Sequence, residues 1–257
     1  MGRRSRIDTT GYYHITNRGV GLREVFLSHE DRIYFITLLC EQSKHFQYYL
    51  HGYALISNGY NILIQTTKNN LSQIMKLVNG QYTSYFNRKY KRAGHLWEGR
   101  FKSWYIADEG FLLDILAYIE HLPMYTGSAT EKETYLYASY RQFIGIDERL
   151  PCISHSIVFK KFNTRAHIKS FFNKPVDVER INRIHALLKK QTKKHSRPPK
   201  KPLKALKASY FKAGDIKERN KKIYKAYQAG YSQSSIGQAI GISQQAVHKI
   251  IRKISSK

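Results

Sequence analysis

Hydrophobic and polar positions along this chain change rhythm, first by twos and then by threes and fours. Tyr12-Tyr-His-Ile-Thr-Asn17 alternates as a half-buried strand does, and Arg18-Gly-Val-Gly21 supplies a flexible basic turn after it. Ser28 or His29 then opens a helix, because Ile33, Ile36, Leu39, Cys40 and Phe46 recur at the spacing of one packed helical face. Two β-rich runs, Tyr48 to Ile56 and Tyr60 to Thr66, are split by Ser57-Asn58-Gly59, whose small, turn-prone residues predict a hairpin. Asn70 to Asn87 carries Leu71, Ile74, Leu77, Val78 and Tyr82 on one stripe and predicts a second helix. Phe101 to Ile106 predicts a fourth strand, and Glu109 to His121 a third helix stopped near Pro123. The order β-α-β-β-α-β-α is that of an α+β, ferredoxin-like sheet with helices on one face. Tyr135 to Gly145 is expected to pack as a trailing helix.

Beyond Pro151 the patterning weakens, and from Lys189 to Lys207 the chain is dense in Lys, Arg and Pro with no acidic residue, which reads as a solvated linker. Order returns after Asp215. Lys217 to Ala229 is helical, Gly230 and Tyr231 break it, and Ser232 can cap a helix from Gln233 to Ile240. Gly241-Ile242-Ser243 turns, and Gln244 to Lys253 forms the last helix. Ile236, Ala239, Ile240, Ile242, Val247, Ile250 and Ile251 would make a small core, the spacing of a helix-turn-helix with Gly241 in its tight turn. On that reading Ser243, Gln244, Gln245, His248, Lys249 and Arg252 are the DNA-facing candidates: Gln pairs bidentately with adenine, and Lys meets guanine or phosphate. The alternative is a helical hairpin that meets a protein partner. The domains are thus 1–150, the α+β domain; 151–215, a basic, partly helical linker; and 216–257, a smaller all-α domain.

Charge narrows the partners. The 257 residues carry 44 Lys plus Arg against 18 Asp plus Glu, a net charge of +26 that recruits polyanions, nucleic acid first. No apolar run reaches the roughly 18–20 residues that span a bilayer, and Met1-Gly-Arg-Arg-Ser-Arg leads into no apolar signal core, so the expectation is a cytosolic protein. Arg3, Arg4 and Arg6 read as a basic arm. Cys40 and Cys152 lie far apart in sequence and suggest neither a disulfide nor a zinc cluster. Arg88, Lys89, Lys91, Arg92, His95, Arg100 and Lys102 interleave with Tyr85, Phe86, Tyr90, Trp97, Phe101 and Trp104. That mixture fits phosphate binding plus base stacking, or a solvated basic face over an aromatic core.

Five ordered blocks carry a resemblance: Gly11-Tyr-Tyr-His-Ile-Thr-Asn-Arg-Gly19, Asn79-Gly-Gln-Tyr-Thr-Ser-Tyr-Phe-Asn-Arg88, Gly94-His-Leu-Trp-Glu-Gly-Arg-Phe-Lys102, Ala117-Tyr-Ile-Glu-His-Leu-Pro123 and Ala138-Ser-Tyr-Arg141. Over roughly residues 1–150 the chain resembles the IS200-like transposases of the REP-associated tyrosine type. The resemblance implies a single-strand DNA transposase fold, often dimeric, in which a His-hydrophobic-His pair on a central strand holds Mg²⁺ or Mn²⁺ and a helix-borne tyrosine attacks phosphate. Tyr118 matches the nucleophile; its other reading is a packing tyrosine on an amphipathic helix. The metal-ligand positions depart from the pattern: Gly59-Tyr60-Asn61 stands where the histidine pair is expected, and Leu122 stands where the family has asparagine. A substitute site from His51, Asn61, Glu120 and His121 is a minor alternative, since Glu120 and His121 diverge by about 100° on a helix.

The expectation is therefore a bacterial, nucleoid-associated DNA-binding protein with no cofactor. It holds single-stranded or hairpin DNA in its first domain, with Arg18, Arg88, Arg92, His95, Arg100 and Lys102 as contacts, and duplex DNA in its second. It acts as a regulator or DNA-organising factor. The alternatives are an active nickase that uses Tyr118 with Mg²⁺ or Mn²⁺, and an RNA-hairpin-binding regulator.

Overall fold

The computed structural model describes residues 9–195, 208–211, 215–229 and 231–255. The chain divides into two compact units, Met1–Lys193 and Lys194–Lys257.

The first unit is built on four antiparallel strands, β1 (Gly11–Arg18), β2 (Tyr48–Ile56), β3 (Gly59–Thr66) and β4 (Lys102–Ile106), in the order β2-β3-β1-β4. This is the ferredoxin-like arrangement, with β1 and β3 central. Tyr13, Ile15, Tyr60, Ile62 and Ile64 point to one face, where α1 (His29–Phe46) and α2 (Leu71–Lys89) pack. There Phe35 lies 4.9 Å from the Tyr60 ring, and Tyr60 Oη donates to Asn79 Oδ1 at 3.0 Å.

His14, Asn61, Leu63 and Trp104 point to the opposite face, which α3 (Leu112–Tyr125) covers. The helices thus lie on both faces rather than one. Ile62, Leu63 and Ile64 are consecutive and fully buried, so both faces of β3 need cover. Helix α3 also runs two residues past Pro123, because a proline so near the end costs only one bond of the last turn.

Asp31 shows how a buried charge is held. Its carboxylate accepts from the backbone amides of Leu27 and Ser28, from Tyr90 Oη at 2.7 Å and from Lys89 Nζ at 2.7 Å. Burial pushes its pKa up, but Lys89, Tyr90 and the amides outweigh this and hold it below the ordinary value. Asp31→Ala strips a cap and leaves Lys89 without its partner. It is expected to cost roughly 3 kcal/mol, read as a lower urea midpoint at pH 7, with the deficit shrinking only as pH falls below the ordinary aspartate value of 3.8 and through the lowered folded one.

Residues 135–145 do not form the expected trailing helix. Leu55 N–H donates to Tyr137 O and Ser139 N–H to Tyr53 O, so the chain runs extended along the exposed edge of β2, and only α4 (Tyr140–Phe143) is helical. The edge carbonyls and amides of β2 take these partners in place of water.

The first unit also does not end at residue 150. Ile153, in the turn that follows Pro151, and then the short helices α5 (Ile157–Lys161) and α6 (Arg165–Phe172), with the longer α7 (Val178–His195), complete the same core, the helices through Val158, Ile168, Phe172, Ile181, Ile184 and Leu188. Their apolar residues recur at helical spacing but are diluted by Lys and Arg, which is why the segment reads as linker. Cys152 comes to rest against α1 and forms a disulfide with Cys40, with the Cα atoms 4.9 Å apart. This corrects the expectation that the two cysteines form no disulfide; a separation of 112 residues in sequence says nothing about distance in the fold.

In the second unit α8 (Ile216–Gln228), α9 (Gln233–Ile240) and α10 (Gln244–Ser255) enclose Phe211, Ile223, Ala226, Ile236, Val247 and Ile251. Gly241, at φ 73°, ends α9 in a conformation that disfavours a side chain. A Cβ on Gly237 would lie 2.6 Å from Ile242 O, so the turn packs directly on α9. Arg3, Arg4 and Arg6 and residues 196–207 of the expected linker lie outside the described residues.

Candidate nucleic-acid interface

On the α3 face, the centre of the sheet carries a polar cluster inside an aromatic frame. His14 of β1 is fully buried; its Nε2 meets Asn61 Oδ1 of β3 at 2.9 Å, and its Nδ1 meets Nε2 of His185 from α7 at 2.8 Å. The amide oxygen can only accept, so His14 Nε2 carries the proton and the bare Nδ1 accepts from His185 Nε2–H. Both imidazoles are neutral: burial drives His14 down to about 3, helped by the neighbouring His185, and burial drives His185 down to about 4. Tyr118 of α3 stands edge-on to both rings, at 6.2 Å and 6.4 Å, and burial raises its phenol. Tyr118 and Asn61 therefore share one site.

The remaining sequence candidates go elsewhere. Glu120 is buried against Ser139 and accepts from Tyr140 N–H at 2.9 Å. His121 Nδ1 donates to Ala117 O and its Nε2 accepts from Lys132 Nζ at 3.4 Å. His51 pairs with Gln65 Oε1 and accepts from Ile157 N–H. None of the three joins Asn61, which removes the substitute site.

The positions in question do not fit a divalent cation. A Cβ on Gly59 would lie 2.4 Å from Asn17 O and 3.1 Å from Arg18 Cα, so this position has neither a donor atom nor room for one. Asn61 spends its oxygen on His14, and Leu122 is a buried aliphatic side chain. Among the described residues no group of three His, Cys, Asp or Glu side chains is placed to hold a metal ion.

In sequence, residues 9–122 match the family described as "Transposase IS200 like". The matched span, short of half the chain, takes in the whole sheet and most of α3 and stops before α4 to α7. Among solved structures the chain is similar to one described as a REP-associated tyrosine transposase bound to a REP hairpin, with 12% identity and a TM-score of 0.48, covering 56% of this chain and 85% of that one. No curated protein matches the chain in sequence.

Around the matched span the basic candidates divide. Arg88, His95, Arg100 and Lys102 are exposed, and Arg92 lies across the Phe86 ring at 5.5 Å. Arg18 is half-exposed and engages Glu98 with two nitrogens, so it is spoken for. The aromatics interleaved with them are mostly core: Phe86, Trp97 and Phe101 are buried, and Trp104 is covered by His14 and His185. The stretch is accordingly a basic face over an aromatic core, not an open stacking surface.

In the second unit Ser243, Gln244, Gln245, His248, Lys249 and Arg252 are all exposed. Gln244, Gln245, His248 and Lys249, with Gln233 of α9, line a shallow hollow of about 320 Å³. No described helix is long and apolar enough to cross a membrane.

Sequence reasoning missed His14 and His185. His14 was legible in principle, because it shares strand parity with Tyr12 and Thr16 and β1 lies beside β3. His185 was hidden by its place in a segment read as linker.

Proposed function

We propose that this chain is a DNA-binding protein descended from a REP-associated type of IS200-like transposase and that it no longer cuts DNA. The observation that carries the reading is the closure of the Gly59 position, with 2.4 Å between a hypothetical Cβ and Asn17 O, beside an Asn61 already engaged by His14. Without a cation to neutralise the scissile phosphate, the Tyr118 phenol, its pKa raised by burial, is a poor nucleophile.

Binding does not need that chemistry. Arg88, Arg92, His95, Arg100 and Lys102 can meet the phosphates of single-stranded or hairpin DNA, and the net charge of +26 draws the polyanion in. The second unit acts as a helix-turn-helix: α10 offers Gln244, Gln245, His248 and Lys249 to base edges in a major groove, with Ser243 and Arg252 on phosphate. The protein serves as a cytoplasmic, nucleoid-associated regulator or DNA-organising factor, a role that a homodimer would suit.

The test is a denaturing-gel assay of end-labelled hairpin and single-stranded DNA with Mn²⁺ or Mg²⁺, run with the unaltered protein and Tyr118→Phe. Both are expected to shift the DNA on a native gel and to leave it intact on the denaturing one. A covalent protein–DNA product that disappears in Tyr118→Phe would establish an active nickase instead. Preference for a matched RNA hairpin over the DNA hairpin would make it an RNA regulator.

A further inference from the structure

The rings of His14 and His185 lie side by side, not one above the other. Their centroids are 4.9 Å apart, their planes differ by 25°, and a 2.8 Å nitrogen–nitrogen hydrogen bond joins them edge to edge. Both rest on the Trp104 indole, His14 at 5.3 Å and 28°, His185 at 4.4 Å and 20°. Tyr118 closes the side, edge-on to each. Planar heterocycles stacked on an aromatic plate and hydrogen-bonded along one edge are what aromatic side chains make with unpaired bases.

The two imidazoles differ in how they are held. His14 belongs to a central strand, and its second nitrogen is fixed by Asn61, which leaves Nδ1 as a permanent acceptor. His185 comes from α7, which reaches this face from outside the matched domain. Lys102 is exposed two residues from Trp104 on the same strand and faces the same side of the sheet, where a phosphate attached to a bound base would meet it.

We propose that the slot over Trp104 and beside His14 is a binding site for one unpaired nucleobase, and that His185 fills it in the free protein. This rests on the DNA-binding reading above. Each base offers an amino or imino N–H to His14 Nδ1 and a flat face to the indole, so the slot is tolerant of sequence and selective for unpaired strands. A base is larger than an imidazole, so exchange lifts α7 from the sheet. The buried contacts of Ile181, Ile184 and Leu188 oppose that step, and His185 competes with the incoming base.

The experiment uses the full chain and a single-stranded oligonucleotide carrying 2-aminopurine, with affinity read by anisotropy and stacking by quenching of the probe. His185→Ala is expected to bind about ten-fold more tightly than the unaltered protein and to quench the probe more deeply. Trp104→Leu in the same background is expected to abolish the gain. His185→Phe keeps a ring on Trp104 and is expected to gain nothing. Should His185→Ala unfold by circular dichroism, His185→Met, which restores apolar bulk against the sheet without a planar ring or a hydrogen-bond donor, carries the same comparison. Binding by the unaltered protein with no gain in the folded ring-less variant overturns the slot alone. No binding by any of the proteins overturns the DNA-binding reading and the slot with it.

Discussion

Gly59→His is expected to destabilise the first unit by about 3 kcal/mol or more, while Asn61→His folds with a much smaller loss. The difference is one of space. Position 59 opens β3 and pairs with Arg18 and Ile56, and the nearest atoms to a Cβ there are backbone: Asn17 O at 2.4 Å and Arg18 Cα at 3.1 Å. Backbone of a central strand cannot step aside as a flexible side chain can, so the β1–β3 pairing must open to admit an imidazole. Asn61 is only half-buried, and its side chain already occupies the site. Urea denaturation of the two variants, followed by tryptophan fluorescence, measures the contrast. A Gly59→His protein as stable as its parent would mean that the β1–β3 pairing has room for a histidine.

The second large effect concerns Glu120 and depends on pH. Burial pushes this carboxyl up from its ordinary 4.5 to about 8. The neutral acid fits its surroundings. Oε2 accepts from Tyr140 N–H, and a protonated Oε1 can give its hydrogen to Ser139 Oγ, whose own hydrogen then turns to Tyr53 O. Because the folded pKa lies above the unfolded one, the stabilisation is complete below about pH 4.5 and is lost as pH rises through 8. Glu120→Gln keeps the shape and cannot ionise. Between pH 5 and pH 8.5 the difference in unfolding free energy between the two proteins is expected to move by about 3 kcal/mol in favour of the glutamine variant. Urea midpoints at the two pH values provide the check. A difference that does not move with pH would show that Glu120 is already an anion in the fold, compensated by Lys132.

The strands and long helices were legible because strong periodicity leaves few alternatives: β2 spans Tyr48–Ile56 as expected, and α2 and β4 differ from their sequence limits by one or two residues. The second unit was legible for the same reason, since Ile236, Val247 and Ile251 are its core. Sequence reasoning failed where one stretch serves distant neighbours. Residues 137–139 follow the edge of β2 instead of their own propensity, and Cys152 finds Cys40 only after the chain has folded around α1. Of the site, Tyr118, Gly59 and Asn61 could be chosen because a family pattern named their positions. His185 matches no such pattern, and its neighbours Ile184 and Leu188 are too thinly spread among lysines and arginines to announce a packed helix.

The helices after residue 150 also bear on how the protein can be divided. The family match ends at residue 122, yet the hydrophobic interior also takes in Ile153, Val158, Phe172 and Leu188. A segment outside the matched span is therefore part of what the sheet needs in order to stay covered. Removing it would uncover core. The matched span and the unit of folding are different lengths of the same chain, and dissection of this protein at residue 122 would cut through the second.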